Sequence, residues 1–168
     1  GYERWAKIFN LKQAAQTLIF LQENDISEME KLQQKAQQAK DDFNNLSSRI
    51  QTIDARLKDI SALQKHIGIY SKTREVYAGY RKAGYSKKHL AEHEDSINAH
   101  KAAKKYFDSL GLKKLPTIKT LQTEYAPLSA EKKKLYGEYH PARKYMQDIL
   151  TAKQNAAQLL NYRETEKT

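Results

Sequence analysis

Between residues 32 and 60 the apolar side chains hold one register: Leu32, Ala36, Ala39, Phe43, Leu46, Ile50, Ile53, Leu57 and Ile60 recur with alternating steps of four and three. That rhythm is the seam of a coiled coil, narrower than the stripe of a globular helix, and it requires a partner helix along its length. Ser27 followed by Glu30 has the form of a capping box that opens this helix. After Ile60 the steps to Leu63, Ile67, Tyr70 and Tyr77 contain one extra three, a stammer that overwinds the supercoil locally. A helix over 27–80 is predicted, about 50 residues and about 75 Å long at 1.5 Å per residue.

A second seam runs through Ile118, Leu121, Tyr125, Leu128, Leu135, Tyr139, Ala142, Met146, Ile149, Ala156 and Leu160, with Lys132 and Lys153 at two of its positions. Pro127 and Pro141 each immediately precede a seam residue, so both fall on the outward face, where a proline bends a helix without removing core side chains. The spacing predicts a return helix over 117–162 and a frayed tail over 163–168. Two long heptad helices joined by about 35 residues fold back most simply as an antiparallel pair, since so short a connector could hardly run the length of the rod. The alternative pairs each seam with a second chain, as in a parallel homodimer. The fold class expected is all-α, a single domain built as an elongated antiparallel hairpin or coiled coil.

Two further pieces complete it. Trp5, Ile8, Phe9, Ala15, Leu18 and Ile19 sit at helical spacing, and Leu11, Phe20 and Leu21 widen the stripe, so an N-terminal helix over 1–26 needs cover on more than one side. Trp5, Phe9 and Phe20 are therefore candidate protein-docking residues. The connector, 81–116, reads as one or two short helices. Gly84-Tyr85-Ser86 ends the long helix and caps the next, Gly111 suits a C′ position, and Leu115-Pro116-Thr117 turns into the return helix.

The chain lacks Cys, which removes disulfides, thiolate metal sites and cysteine nucleophiles together. No apolar run approaches the roughly 20 residues that span a bilayer, and the chain opens with Gly1 rather than Met with nothing like a signal peptide after it, so an excised fragment of a longer, cytoplasmic protein is expected. His66, His89, His93, His100 and His140 form no His-Glu-x-x-His pattern, and there is no glycine-rich phosphate loop. His89 and His93 are spaced i, i+4, with His100 a heptad beyond, but surface or interhelix packing accounts for them better than a metal does. Most of the eleven Tyr are packing groups, since Tyr70, Tyr77, Tyr125 and Tyr139 lie on the seams.

The formal net charge is +10, and residues 68–116 hold eleven positive and five negative side chains, +6 of that total. Arg74, Arg81, Lys82, Lys87 and Lys88 flank Tyr77, Tyr80 and Tyr85, while Lys101, Lys104 and Lys105 cluster beside Tyr106. Cations interleaved with Tyr suit a nucleic-acid backbone, with Tyr80 and Tyr85 as rings to stack on bases. The same charges also fit a solvated tip that aids solubility or meets an acidic partner.

Several segments carry a family resemblance: Tyr2-Glu3-Arg4-Trp5-Ala6-Lys7-Ile8-Phe9-Asn10-Leu11-Lys12-Gln13, Thr17-Leu18-Ile19-Phe20-Leu21-Gln22-Glu23, Tyr80-Arg81-Lys82-Ala83-Gly84-Tyr85-Ser86-Lys87-Lys88, His100-Lys101-Ala102-Ala103-Lys104 and Leu150-Thr151-Ala152-Lys153. Over nearly the whole chain and in order, they resemble the C-terminal region of relaxase/mobilisation nucleases of conjugative transposons and mobilisable elements. Relaxases nick one strand at a transfer origin through a Tyr nucleophile and a His-held metal, both in an N-terminal domain. No segment here matches those motifs, so the resemblance implies no catalytic residue, metal or cofactor in this chain. It implies a helical accessory region that holds origin DNA or docks other relaxosome or secretion-channel proteins.

Overall fold

The computed structural model describes the backbone of residues 2–166 and the side chains of residues 10–158. Five helices follow one another among the described residues: α1 (Tyr2–Glu23), α2 (Met29–Lys82), α3 (Lys87–Glu92), α4 (Glu94–Ser109) and α5 (Ile118–Glu166). The protein is all-α, with α2 and α5 as its long antiparallel pair. The chain divides into two compact units, one of residues 1–51 with 133–168 and one of residues 52–132, so each long helix contributes a segment to both.

In the first unit Leu32, Ala36 and Ala39 of α2 bury against Ile149 of α5, together with Ile26 and the half-buried Phe20, Leu21 and Met146. Farther along, Phe43 meets Tyr139 at 5.2 Å, so rising numbers on α2 meet falling numbers on α5. A third helix joins them. Thr17 of α1 is buried and accepts a hydrogen bond from Asn155 Nδ2 at 3.1 Å, and the Phe20 ring lies 6.3 Å from Tyr145. Helix α1 ends in a Schellman turn: the Ile26 N–H donates to the Leu21 carbonyl (2.9 Å), the Asp25 N–H donates to Gln22 (3.2 Å), and Asp25 takes a φ of +54°. Lys31 and Lys35, one turn apart on α2, donate to the carbonyls of Asp25 and Asn24. The predicted seam is thus right for α2, but it closes on two helices rather than one.

The second unit makes the same change of partner at the stammer. Ile60 and Leu63 of α2 share a buried cluster with Ala103 and Phe107 of α4 and Leu121 of α5. From there α2 turns its aromatic residues onto α4. Arg56 binds Glu124 through two hydrogen bonds of 2.6 and 2.8 Å, and Lys132, at its predicted seam position, pairs with Asp54. With α4 as a third wall, the inward line of α5 runs through Leu121 and Leu128, and the predicted seam residues Ile118 and Tyr125 are exposed.

The connector forms two helices, and the residues predicted to punctuate it do so. Gly84, at φ +67°, closes α2 in a second Schellman turn, in which the Tyr85 N–H reaches the Tyr80 carbonyl at 3.0 Å. Ser86 caps α3 by accepting the His89 N–H, and Thr117 caps α5 by accepting the Thr120 N–H. Helix α5 continues unbroken past Pro127 and Pro141, both exposed, and runs to Glu166, beyond the predicted end at 162. The Arg and Glu residues of that last turn are good helix formers; residues 167 and 168 lie outside the described residues.

Candidate nucleic-acid interface

The second unit holds sixteen basic and nine acidic residues, +7 of the +10. Its α2–α4 contact is a ladder of His and Tyr rings. His66 stacks on Tyr106 at 4.0 Å, His100 lies between Tyr70 (4.3 Å) and Tyr77 (4.4 Å), and His89 runs nearly parallel to Tyr80 at 6.1 Å. Gly79 makes room for the last of these, since a Cβ there would stand 3.3 Å from the His89 ring.

His100 is only 4% exposed, and its Nδ1 lies 2.8 Å from Thr73 Oγ1. The Thr73 hydroxyl donates to the Ile69 carbonyl one turn back (2.7 Å), so its oxygen is left to accept and Nδ1 carries the hydrogen. Burial, then the nearby Lys104 and Arg74 cations, hold the His100 pKa below that of free imidazole, against a hydrogen bond to the Tyr70 carbonyl that raises it. His100 is thereby a neutral packing group. His66 Nδ1 and His89 Nε2 are also buried and meet no hydrogen-bond partner among the described residues.

Around this ladder the candidate phosphate-contacting residues Arg74, Arg81, Lys82, Lys87, Lys88, Lys101, Lys104 and Lys105 are all exposed, and none is engaged in a salt bridge among the described residues. Lys101 reaches over the Tyr80 ring, 5.5 Å from its centroid, tying α4 to the end of α2. The two candidate stacking rings separate. Tyr85 is 55% exposed, whereas Tyr80 is 6% exposed and packed among Tyr77, Tyr85, His89 and the Lys101 ammonium. Tyr80 cannot offer a face to a base, because both it and its neighbours serve the α2–α3–α4 contact; its edge-on contact with Tyr85 at 5.3 Å instead braces the exposed ring.

The candidate docking residues also change. Trp5 and Phe9 lie outside the residues whose side chains are described. Phe20 packs into the first unit's core, and the exposed apolar groups of α1 are Leu11 (69%), Leu18 (56%) and Ile19 (53%). All three belong to the wide apolar stripe that periodicity shows; Leu11 and Leu18 are a heptad apart and lie at least 100° around the helix from the buried Thr17.

Among the described residues no three His, Asp or Glu side chains are arranged to hold a metal, and no helix is long and apolar enough to cross a membrane. His89 and His93 lie 4.8 Å apart, but His100 faces α2 instead of joining them. No protein-family model matches the chain, and no curated protein or solved structure does.

Proposed function

We propose that this chain is a noncatalytic helical accessory domain of a DNA relaxase of conjugative transfer or mobilisation, and that it holds DNA through the cations of α2, α3 and α4. The relaxase part of this reading rests on the sequence resemblance. The DNA part rests on one observation: eight exposed cations, none engaged in a salt bridge among the described residues, lie along the aromatic contact of α2, α3 and α4, and Tyr85, exposed and braced by Tyr80, stands at the α2–α3 turn between Arg81-Lys82 and Lys87-Lys88. Phosphates meet Arg81, Lys82, Lys87 and Lys88 at the α2–α3 turn, and Tyr85 supplies a stacking face. The chain itself carries no nucleophile or cofactor in this reading; nicking belongs to a catalytic domain elsewhere in the parent protein, acting in the cytoplasm.

Neutralising Arg81, Lys82, Lys87 and Lys88 together should weaken DNA binding at moderate salt by more than tenfold. The dependence on log salt should flatten by about 0.9 for each phosphate that is no longer neutralised. Unchanged affinity and slope would show that this surface does not hold DNA. A second reading, a module that docks relaxosome or secretion-channel proteins or a second copy, is favoured by the exposed Leu11, Leu18 and Ile19. Sedimentation across a broad concentration range, with Leu18→Glu as control, tests self-association; a strict monomer removes the homodimer.

A further inference from the structure

The geometry points to a second phosphate-binding face, on α5 in the first unit, formed by Lys133, Tyr136, Gly137, His140, Arg143 and Lys144, whose ligand is a nucleic-acid backbone. At 100° per residue these six positions fall within an arc of about 120°, and from Lys133 to Lys144 they extend about 16 Å along the axis. All six are exposed. The opposite side of the helix is the buried one, where Ile149 is fully covered and Leu135, Ala142 and Met146 are half-buried. No carboxylate falls within the arc; Asp148 lies just beyond its edge and takes a long, exposed contact of 3.4 Å from Lys144, and Glu138 stands beside Gly137 on the side away from Tyr136. Lys133 and Lys144 stand about 20° apart around the axis, in one row with Gly137 and His140 between them, while Arg143 flanks that row at the edge of the arc. The cations at the two ends of the row therefore meet separate phosphates rather than a single anion.

Gly137 is what distinguishes this row from an ordinary solvated helix face. It sits inside a 49-residue helix with nothing within 4 Å of the position its Cβ would occupy, so no packing inside the protein accounts for it. Glycine within a helix is unfavourable relative to alanine, and here no turn or positive φ offsets that cost. What the missing side chain provides is a notch in that row, bordered along it by Lys133 and His140 and to either side by Tyr136 and Glu138. A phosphodiester backbone lying along the arc can approach the helix there more closely than over any other residue. His140 stands at the rim of the notch and adds a hydrogen-bonding group there, with the Tyr136 ring on the same side.

This inference rests on the reading that the chain contacts nucleic acid, but it uses different residues and can fail separately. Binding of the full chain to a 20-base-pair DNA duplex, and to a single strand of equal length, is measured as a function of salt. The variants compared are Lys133→Ala/Arg143→Ala/Lys144→Ala, Gly137→Ala, and the neutralised α2–α3 set. The triple variant should lose about tenfold or more in affinity and reduce the salt slope by two to three. Gly137→Ala should raise the thermal midpoint while weakening binding several-fold, a combination that a purely structural glycine would not give. Helix content by circular dichroism should stay unchanged in both, because every altered side chain is exposed. If both α5 variants bind as the parent does while the α2–α3 variant loses affinity, the second face is refuted and the first reading stands. If the unmodified chain binds neither DNA, both are refuted.

Discussion

His100 shows how a residue type that suggests chemistry is used for packing. Its ring fills the space between Tyr70 and Tyr77, its Nδ1–H is directed at Thr73, and Lys104 and Arg74 stand close enough to oppose a positive charge. Burial and these cations lower its folded pKa, so below about 6.5, the ordinary value, the unfolded chain binds a proton that the folded one resists. The stability this residue contributes is thus complete above pH 6.5 and is lost as the pH falls toward the lowered folded value. His100→Gln should cost stability at pH 7.5, and the difference from the parent should shrink as the pH approaches 5. Urea unfolding at several pH values measures it; a gap that widens on acidification would mean that the imidazolium is stabilised where it sits. Nothing in the sequence distinguishes this His from the exposed His93 and His140, because the difference lies in rings contributed by a helix about 25 residues away.

Helix ends and seams were the more legible scale, since their signals are local. Gly84, Ser86, Gly111 and Thr117 all lie at the boundaries their chemistry indicates, and the α2 seam is buried or half-buried from Leu32 to Ile60. What periodicity does not encode is which helix fills a seam. Tyr70 and Tyr77 keep the heptad register but meet α4, and the entry of α4 leaves Ile118 and Tyr125 of α5 exposed. The same ambiguity misplaced Tyr80, whose neighbours in sequence are cations but whose neighbours in space are rings. Asp25 was legible only as a break. It occupies the left-handed C′ position of α1, where a side chain costs about 1 kcal/mol and a carboxylate also faces the negative end of the helix dipole. Asp25→Gly should therefore raise stability by about 1 kcal/mol, and Gly84→Ala, the converse change at the equivalent position of α2, should lower it by a similar amount. Chemical denaturation checks the pair, and a destabilised Asp25→Gly would show that its side chain does more than tolerate the turn.

For the whole molecule, the distribution of charge and of core matters more than either total. The +10 is concentrated as +7 in residues 52–132, and among the buried apolar residues one cluster forms around Leu32 and Ile149 and another around Ile60 and Phe107. A chain with 39% hydrophobic residues can sustain this arrangement because each cluster is small and closed by three helices. Two clusters on two shared helices raise the question of cooperativity, since α2 and α5 pass from one unit to the other without a break. Helical hydrogen bonds are local, whereas most of a helix's stability in a protein comes from the face it buries, so disrupting one cluster removes the support of its own segments first. Ile60→Ala and Ile149→Ala each truncate a cluster side chain with no exposed surface and should cost about 2–4 kcal/mol. Hydrogen exchange should then speed up selectively, in residues 52–132 for Ile60→Ala and in residues 29–51 and 133–158 for Ile149→Ala. Equal acceleration of all amides by either substitution would instead make the two clusters one cooperative unit, coupled through the continuous helices.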